Sequence, residues 1–445
     1  MKSDRRKFLL QSTIAGTALA MRPLNVLSAQ SPSDMINVAV MGVRSRGLAL
    51  ALNFAQQPNT RVGYVCDVDE EFGDDCIRKL ADVQAKAPRK EKDIRKVLED
   101  QDVDAVVIAA PDHWHAPAAI MAMSAGKHVY LEKPCSHNPF EGELLIKAQN
   151  KYNRVFQMGN QRRSWNNIIQ CIEDIRSGII GKVYFAKGWY ANNRDSIGFG
   201  KETPIPEKLD FELWQGPAPR ISYRDNIHPY NWHWFWRWGT GEALNNGTHE
   251  IDVMRWGLGV DFPSRVYANG GRYHFHDDWE FPDTMSINFD FEDGKSCTWE
   301  GRSCNRFPNY GDGRGALFCG EKGSILISEN NYTVYGNDND LTVIKEVKHI
   351  SSVPSDSTNT VSPAADLDGV HIENFLRGIR EGIPVSSPAE EAHKSILMCQ
   401  LGNISWKIGR PLHIDQRNGR IVGDPAAMEY WERSYEPGWE PGSYI

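Results

Sequence analysis

The sequence predicts an α/β fold in two parts. The first, over 35–160, is a Rossmann-type doubly wound parallel sheet. The second, over 161–425, is an α+β domain with a large, mostly antiparallel open sheet. Three observations predict this. Short, largely apolar runs at 36–41, 61–66 and 104–110 alternate with helical patterns, as strands buried on both faces require. The turn Gly42-Val-Arg-Ser-Arg-Gly47 joins the first run to its helix. Beyond Lys182 the apolar period changes to two, the mark of strands with one wet face.

The bulk composition narrows the function. A chain of 445 residues, 40% hydrophobic and 24% charged, suits two globular domains. The net charge of -8, with no long basic block, excludes nucleic acid as a partner. None of the eight cysteines forms a Cys-x-x-Cys pair, so neither a zinc module nor a dense disulfide framework is indicated.

Residues 1–29 read as a leader and not as fold. Arg5-Arg6-Lys7-Phe8-Leu9 is a twin-arginine start, followed by a mildly apolar run and small-residue cleavage sites at Ala18-Leu-Ala20 and near Ala29. The run is too short for a membrane span. The expected destination is the periplasm, or export by the twin-arginine route. That route carries folded proteins.

The first strand, Ile36–Met41, leads into the glycine turn and a helix through Gln57; the second strand ends on Asp67, 25 residues after Gly42. This is the dinucleotide pattern of strand, turn, helix, strand and acid. Gly42, Ser45 and Gly47 would lie under the pyrophosphate. Arg44 replaces the middle glycine, and Arg44 and Arg46 would bring positive charge to phosphates. Asp67 can accept ribose hydroxyls and repel a 2′-phosphate, so the expected cofactor is NAD and not NADP. The third strand, Asp104–Ala110, ends in Pro111-Asp-His-Trp-His115, which places Pro111 and His115 at the cofactor edge of the sheet. No further ligand neighbours these histidines in sequence, so no metal is expected.

The next strand, His128–Leu131, stops on Glu132-Lys133-Pro134. Proline ends the ladder, and an ammonium is left at the carboxyl edge, where α/β sheets bind ligands. Lys133 reads either as a proton-transfer group or as half of a local ion pair. A last strand, Val155–Met158, precedes Gly159-Asn-Gln-Arg-Arg163 and a helix over 165–177.

The second part carries two further stretches. In Tyr230-Asn-Trp-His-Trp-Phe-Trp-Arg-Trp238 a tryptophan recurs at every second residue, so an extended chain presents all four on one face. That face suits either a sugar or a buried interface. In the stretch Gly239–Asp252, His249 and Asp252 share a helix face, either as an acid/base group with its partner or as a polar cap. A polar loop over 351–366, helices over 367–381 and 388–408, and an aromatic tail over 426–445 complete the chain. One sheet face is open to helices or to a second copy, and a homo-oligomer is expected.

With these pieces in place, the chain resembles the glucose–fructose oxidoreductase/inositol dehydrogenase (Gfo/Idh/MocA) family over roughly 35–410. Glu132-Lys133-Pro134 matches its most specific motif, and Asn245-Asn-Gly247-Thr-His249-Glu-Ile-Asp252 matches its Asp-x-Gly-x-His-x-x-Asp pattern, with Asn245 in place of the first aspartate. The resemblance implies that Glu132 and Lys133 contact the cofactor, with Lys133 beside the reacting hydroxyl. It implies that His249 is an acid/base group, and that Arg163, Trp234, Asn245 and Asp252 belong to the substrate side. The expected activity is hydride transfer between NAD and a secondary hydroxyl of a sugar or glycoside. An NAD-dependent glycosidase, working by transient oxidation and elimination, and a non-catalytic sugar- or NAD-binding protein are the alternatives.

Overall fold

Six parallel strands form the first sheet of the computed structural model: β1 (Ile36–Met41), β2 (Thr60–Cys66), β3 (Arg89–Glu91), β4 (Ala105–Ile108), β5 (His128–Leu131) and β6 (Phe156–Met158), in the order β3-β2-β1-β4-β5-β6. The structure describes residues 35–349 and 365–445; the leader and the polar loop as far as residue 364 lie outside them. β1 and β4 are fully buried, as their unbroken apolar sequences require. The sequence reading lacked β3, a three-residue edge strand of Arg, Lys and Glu with no apolar signal.

The strand order reverses between β1 and β4, which opens a crevice at their carboxyl ends. Met41 pairs with Ile108, and Ile108 with Leu131. The residues that follow, Gly42, Ala109 and Glu132, therefore leave the sheet at one level. The flanking helices are α1 (Ser45–Gln56), α2 (Glu70–Leu80), α3 (Ile94–Glu99), α4 (Asp112–Ser124) and α5 (Pro139–Tyr152).

The second sheet has nine strands: β7 (Val183–Ala191), β8 (Arg265–Gly271), β9 (Thr284–Asp290), β10 (Ser296–Arg302), β11 (Arg314–Gly320), β12 (Gly323–Ser328), β13 (Asn331–Gly336), β14 (Val343–Val347) and β15 (Leu412–His413). Their order is β14-β13-β12-β11-β7-β10-β9-β8-β15. Every pair is antiparallel except β7–β10. Burial alternates along β9, β10, β12 and β13, so one face is packed and the other half-open. The helices of this half are α6 (Asn166–Arg176), α7 (Phe211–Gln215), α8 (Gly241–Asn245), α9 (Gly247–Leu258), α10 (Ala365–Glu381), α11 (Ala389–Ile408) and α12 (Pro425–Met428).

Two findings depart from the sequence reading. α10 returns to the first sheet: Ile372, Phe375 and Leu376 share a core with Val38, Phe54 and Tyr130. The tryptophan run is not extended. Residues 231–234 form a 3-10 turn, so the rings leave the backbone in different directions. Among the described residues, no helix is long and apolar enough to cross a membrane.

Candidate functional site

A cleft of about 590 Å³ follows the carboxyl edge of the parallel sheet, within the usual size of ligand pockets. Its floor is the glycine turn. Gly42 has φ +77, and a Cβ there would lie 2.7 Å from the Ala110 backbone, so only glycine lets the turn pass so close to β4. A Cβ on Gly47 would strike the Gly42 carbonyl, so Gly47 lets α1 start flush against the turn. The first turn of α1 carries no acidic residue, which keeps its free N–H groups and positive end available to an anion. Arg44 lines the cleft with its guanidinium 5.8 Å from the ring centres of both Phe72 and Tyr230.

Asp67 lines the cleft one strand over. Its two oxygens accept from the backbone N–H groups of Val43 at 2.7 Å and Asp69 at 2.9 Å. Burial pushes its carboxyl up to about 6, against those hydrogen bonds. A carboxylate retains lone pairs beyond two bonds, so Asp67 can still accept ribose hydroxyls. Glycine turn, helix end, Arg44 and Asp67 together fit a dinucleotide with its phosphates over α1.

At the other end, Lys133 Nζ donates to the Asn245 carbonyl and, at 3.3 Å, to Asn245 Oδ1. Burial lowers its ammonium below the ordinary lysine range, against the pull of Glu132 and Asp112. A lysine so placed can exchange a proton nearer neutrality than a surface one. Asn245 and Asn246 close this end of the cleft from α8 and the bend after it, with Tyr190, Asn192, Arg194, Tyr230, Trp232 and His233 as its walls. Trp232 and His233 stack at 3.6 Å.

The remaining predicted residues divide. Ser45, Pro111, Glu132 and His115 line the cleft. The His115 ring is fixed between two carbonyls, with Nδ1 at 2.6 Å from Pro134 and Nε2 at 2.7 Å from Ala110. Arg46 also reaches the cleft, but its guanidinium binds Glu132 at 2.8 Å and Asp368 at 2.7 Å, so it holds α10 and the strand ends together and is not a loose phosphate ligand. Arg163 and Asp252 do not line the cleft. They bind each other in a buried two-pronged pair at 2.9 and 2.7 Å, with Ser395 Oγ donating to Asp252 at 2.6 Å. Arg163 therefore has no fork left for a sugar. Trp234 is also removed from the cleft: it stacks on Trp279 at 3.8 Å and carries Arg194 over its ring. The member of the run that reaches the cleft is Trp232.

His249 sits behind the cleft wall, 2% exposed, and its Nε2 has no hydrogen-bond partner. Burial holds it neutral far below the usual histidine range, helped by the charges of Arg314, Lys133 and Arg162. A buried imidazole nitrogen without a partner is a costly feature, and the neighbouring cations make this one a weak proton acceptor. Among the described residues no set of three His, Cys, Asp or Glu side chains is placed to hold a metal ion.

Sequence reasoning missed Arg194, Glu242 and Trp114. The Arg194–Glu242 ion pair, at 2.6 Å, joins positions 48 apart, and no local pattern announces it. Trp114 lines the cleft beside Trp214, whose carbonyl accepts from the Trp114 indole at 3.0 Å.

Comparison with known proteins agrees with this layout. Residues 36–160 match the Gfo/Idh/MocA family model described as "Oxidoreductase family, NAD-binding Rossmann fold", and residues 214–414 match its "C-terminal alpha/beta domain". A glycosyl hydrolase family 109 protein of Saccharopolyspora erythraea is 30% identical over 199 residues, 43% of this chain and 43% of the relative. A 2,7-anhydro-N-acetylneuraminate hydratase of Mediterraneibacter gnavus is 22% identical over 295 residues, 66% and 67% of the two chains. The chain spans less than half the length of the family 109 relatives it matches. Among solved structures, levoglucosan dehydrogenase in complex with NADH superposes with a TM-score of 0.67 at 18% identity, over 86% of this chain and 99% of that one, a likeness of fold.

Proposed function

The chain belongs to the Gfo/Idh/MocA oxidoreductase family, and from that premise we propose that it moves a hydride between NAD and a secondary hydroxyl of a sugar or glycoside. The observation that carries this reading is the position of Lys133: a desolvated ammonium at the carboxyl edge of the sheet, in the same cleft as the glycine turn and Asp67. Gly42, Arg44, Ser45 and Gly47 would hold the phosphates of the cofactor, and Asp67 its ribose. Bound there, NAD supplies the hydride acceptor. Lys133 meets the substrate oxygen and stabilises it as its proton leaves. Asn245 holds Lys133 in place; His249, behind the cleft and held neutral, would receive the proton only transiently, as a weak base. The aromatic wall of Trp232 and Tyr230 suits the apolar face of a sugar ring.

A second reading is favoured by the relatives named as glycosyl hydrolase family 109 proteins, and by a further relative, an alpha-N-acetylgalactosaminidase of Shewanella oneidensis. In it the hydride returns within the cycle and the net reaction is hydrolysis. That pathway needs one more base, for a carbon-bound proton, and Asn245 offers none. Tyr190, Tyr230 and His233 line the cleft as candidates. We favour oxidation without cleavage. Incubating the protein with NAD and a panel of levoglucosan, methyl glucosides and nitrophenyl N-acetylhexosaminides, while following reduced cofactor, tests this. No reduction with any of them, together with no binding of NAD, would leave the reading without support.

We further propose that residues 1–29 direct export by the twin-arginine route, and that the half-open face of the nine-stranded sheet pairs with a second copy.

A further inference from the structure

We propose that Glu242 is the positioning residue that stands in for the carboxylate absent at 245: it orients the Asn245 amide, and through it Lys133. This rests on the reading that Lys133 is the active lysine. Glu242 lies at the start of α8, one turn before Asn245, and is 4% exposed. Every contact it makes is as an acceptor. Arg194 donates to it at 2.6 and 3.2 Å, Ser303 Oγ at 3.1 Å, Asn246 Nδ2 at 2.5 Å and Asn245 Nδ2 at 3.3 Å. Burial works to raise its carboxyl, yet Arg194 and these donors hold it below the usual carboxylate range. Glu242 is therefore an anion at neutral pH.

The consequence falls on Asn245. One side of its amide faces an anion that can only accept, the other an ammonium that can only donate. A single orientation satisfies both: Nδ2 toward Glu242 and Oδ1 toward Lys133. An aspartate at 245 would set two carboxylates against each other, so an asparagine is what this neighbour demands. The departure from the family pattern at 245 and the buried glutamate three residues earlier are one feature. Arg194 ties that feature to the cleft wall, with Nη1 donating to Tyr230 at 3.0 Å. Glu242 does not line the cleft, so it acts through Asn245 and not on substrate.

The test measures Lys133 directly and needs no turnover, so it can be read whether or not the hydride-transfer reading holds. Full-length protein is labelled with a trace of acetic anhydride between about pH 5 and 10. Lys133 modification is read by peptide mass spectrometry against Lys96, whose side chain is 66% exposed. In Glu242→Gln the amide at 242 can donate as well as accept. Asn245 is then free to turn, and Lys133, which keeps the Asn245 carbonyl, loses the fixed Oδ1 acceptor and a nearby anion. Its labelling near pH 7 should rise about threefold, a shift of about half a pKa unit. A folded Glu242→Gln protein whose Lys133 curve superimposes on that of the parent overturns the proposal. Should Arg194, left unpaired, prevent that variant from folding, Asn245→Asp decides, since it keeps the volume and the ion pair. There, one of two touching carboxylates holds a proton into the neutral range. The Lys133 curve should gain a second inflection, and one unbroken titration would show that 242 and 245 do not communicate.

Discussion

Replacing Lys133 with methionine separates chemistry from packing. Methionine keeps most of the stem and removes the ammonium. The structural loss is small. Lys133 gives up its bonds to Asn245, while Glu132 keeps Arg46 at 2.8 Å and Asp112 keeps the Thr240 hydroxyl at 2.5 Å. The lowered lysine pKa shows that burial of the charge costs more than its neighbours return. The fold should therefore lose about 1 kcal/mol or less, a drop in Tm of about 1 °C for a chain of this size. The catalytic loss is large. Removing one preorganised donor from a developing oxyanion costs about 2.7–4 kcal/mol, or about 100- to 1000-fold in kcat. Stopped-flow reduction of NAD gives kcat, and a thermal melt with an NAD titration gives stability and affinity. Turnover within about threefold of the parent would refute the assignment of Lys133. A collapsed melt with lost NAD binding would show instead that the lysine is structural.

NAD affinity should depend on Asp67. Its folded pKa of about 6 is above the free value, so the proton is bound more tightly in the folded chain, and ribose hydroxyls favour the anion. Affinity should rise about tenfold per pH unit toward pH 6, then level off, with a flat profile in Asp67→Asn as measured by isothermal titration. Before cofactor is added, this carboxyl's contribution to stability falls as pH rises through the window from its free value to about 6. Asp252→Asn should cost about 3 kcal/mol in urea unfolding, because it leaves the buried Arg163 only its 3.4 Å contact with Glu391, with little change in KM for the fraction that folds. A large KM effect at full stability would return Arg163 and Asp252 to the substrate. Changing Arg5 and Arg6 to lysine should keep the protein in the cytoplasm on fractionation, and unchanged export would exclude the twin-arginine route.

The first half of the fold was legible because its information is local. β1, β4 and β5 are continuous apolar runs, and Gly42, Gly47 and Asp67 stand at spacings set by one βαβ unit. The sheet of the second half was legible as a change of period, although β11, β14 and β15 escaped notice. The tryptophan run misled because alternation predicts an extended chain, whereas Trp234 and Trp238 are drawn to partners elsewhere, Trp279 and Trp214. Arg163 and Asp252 misled for the opposite reason: residues suited to a sugar hydroxyl are equally suited to each other. Glu242 was invisible because its meaning depends on Arg194 and Ser303, distant in sequence and near in space.

The proposed reaction is net oxidation of a sugar hydroxyl by NAD. It is tested most directly by following the reduced-cofactor absorbance band and aglycone release together, with purified full-length protein, NAD and the nitrophenyl glycosides. One equivalent of reduced cofactor is expected for each substrate consumed, with a keto-glycoside as product and no free aglycone. Free aglycone accumulating over many turnovers, with no net reduced cofactor, would contradict it.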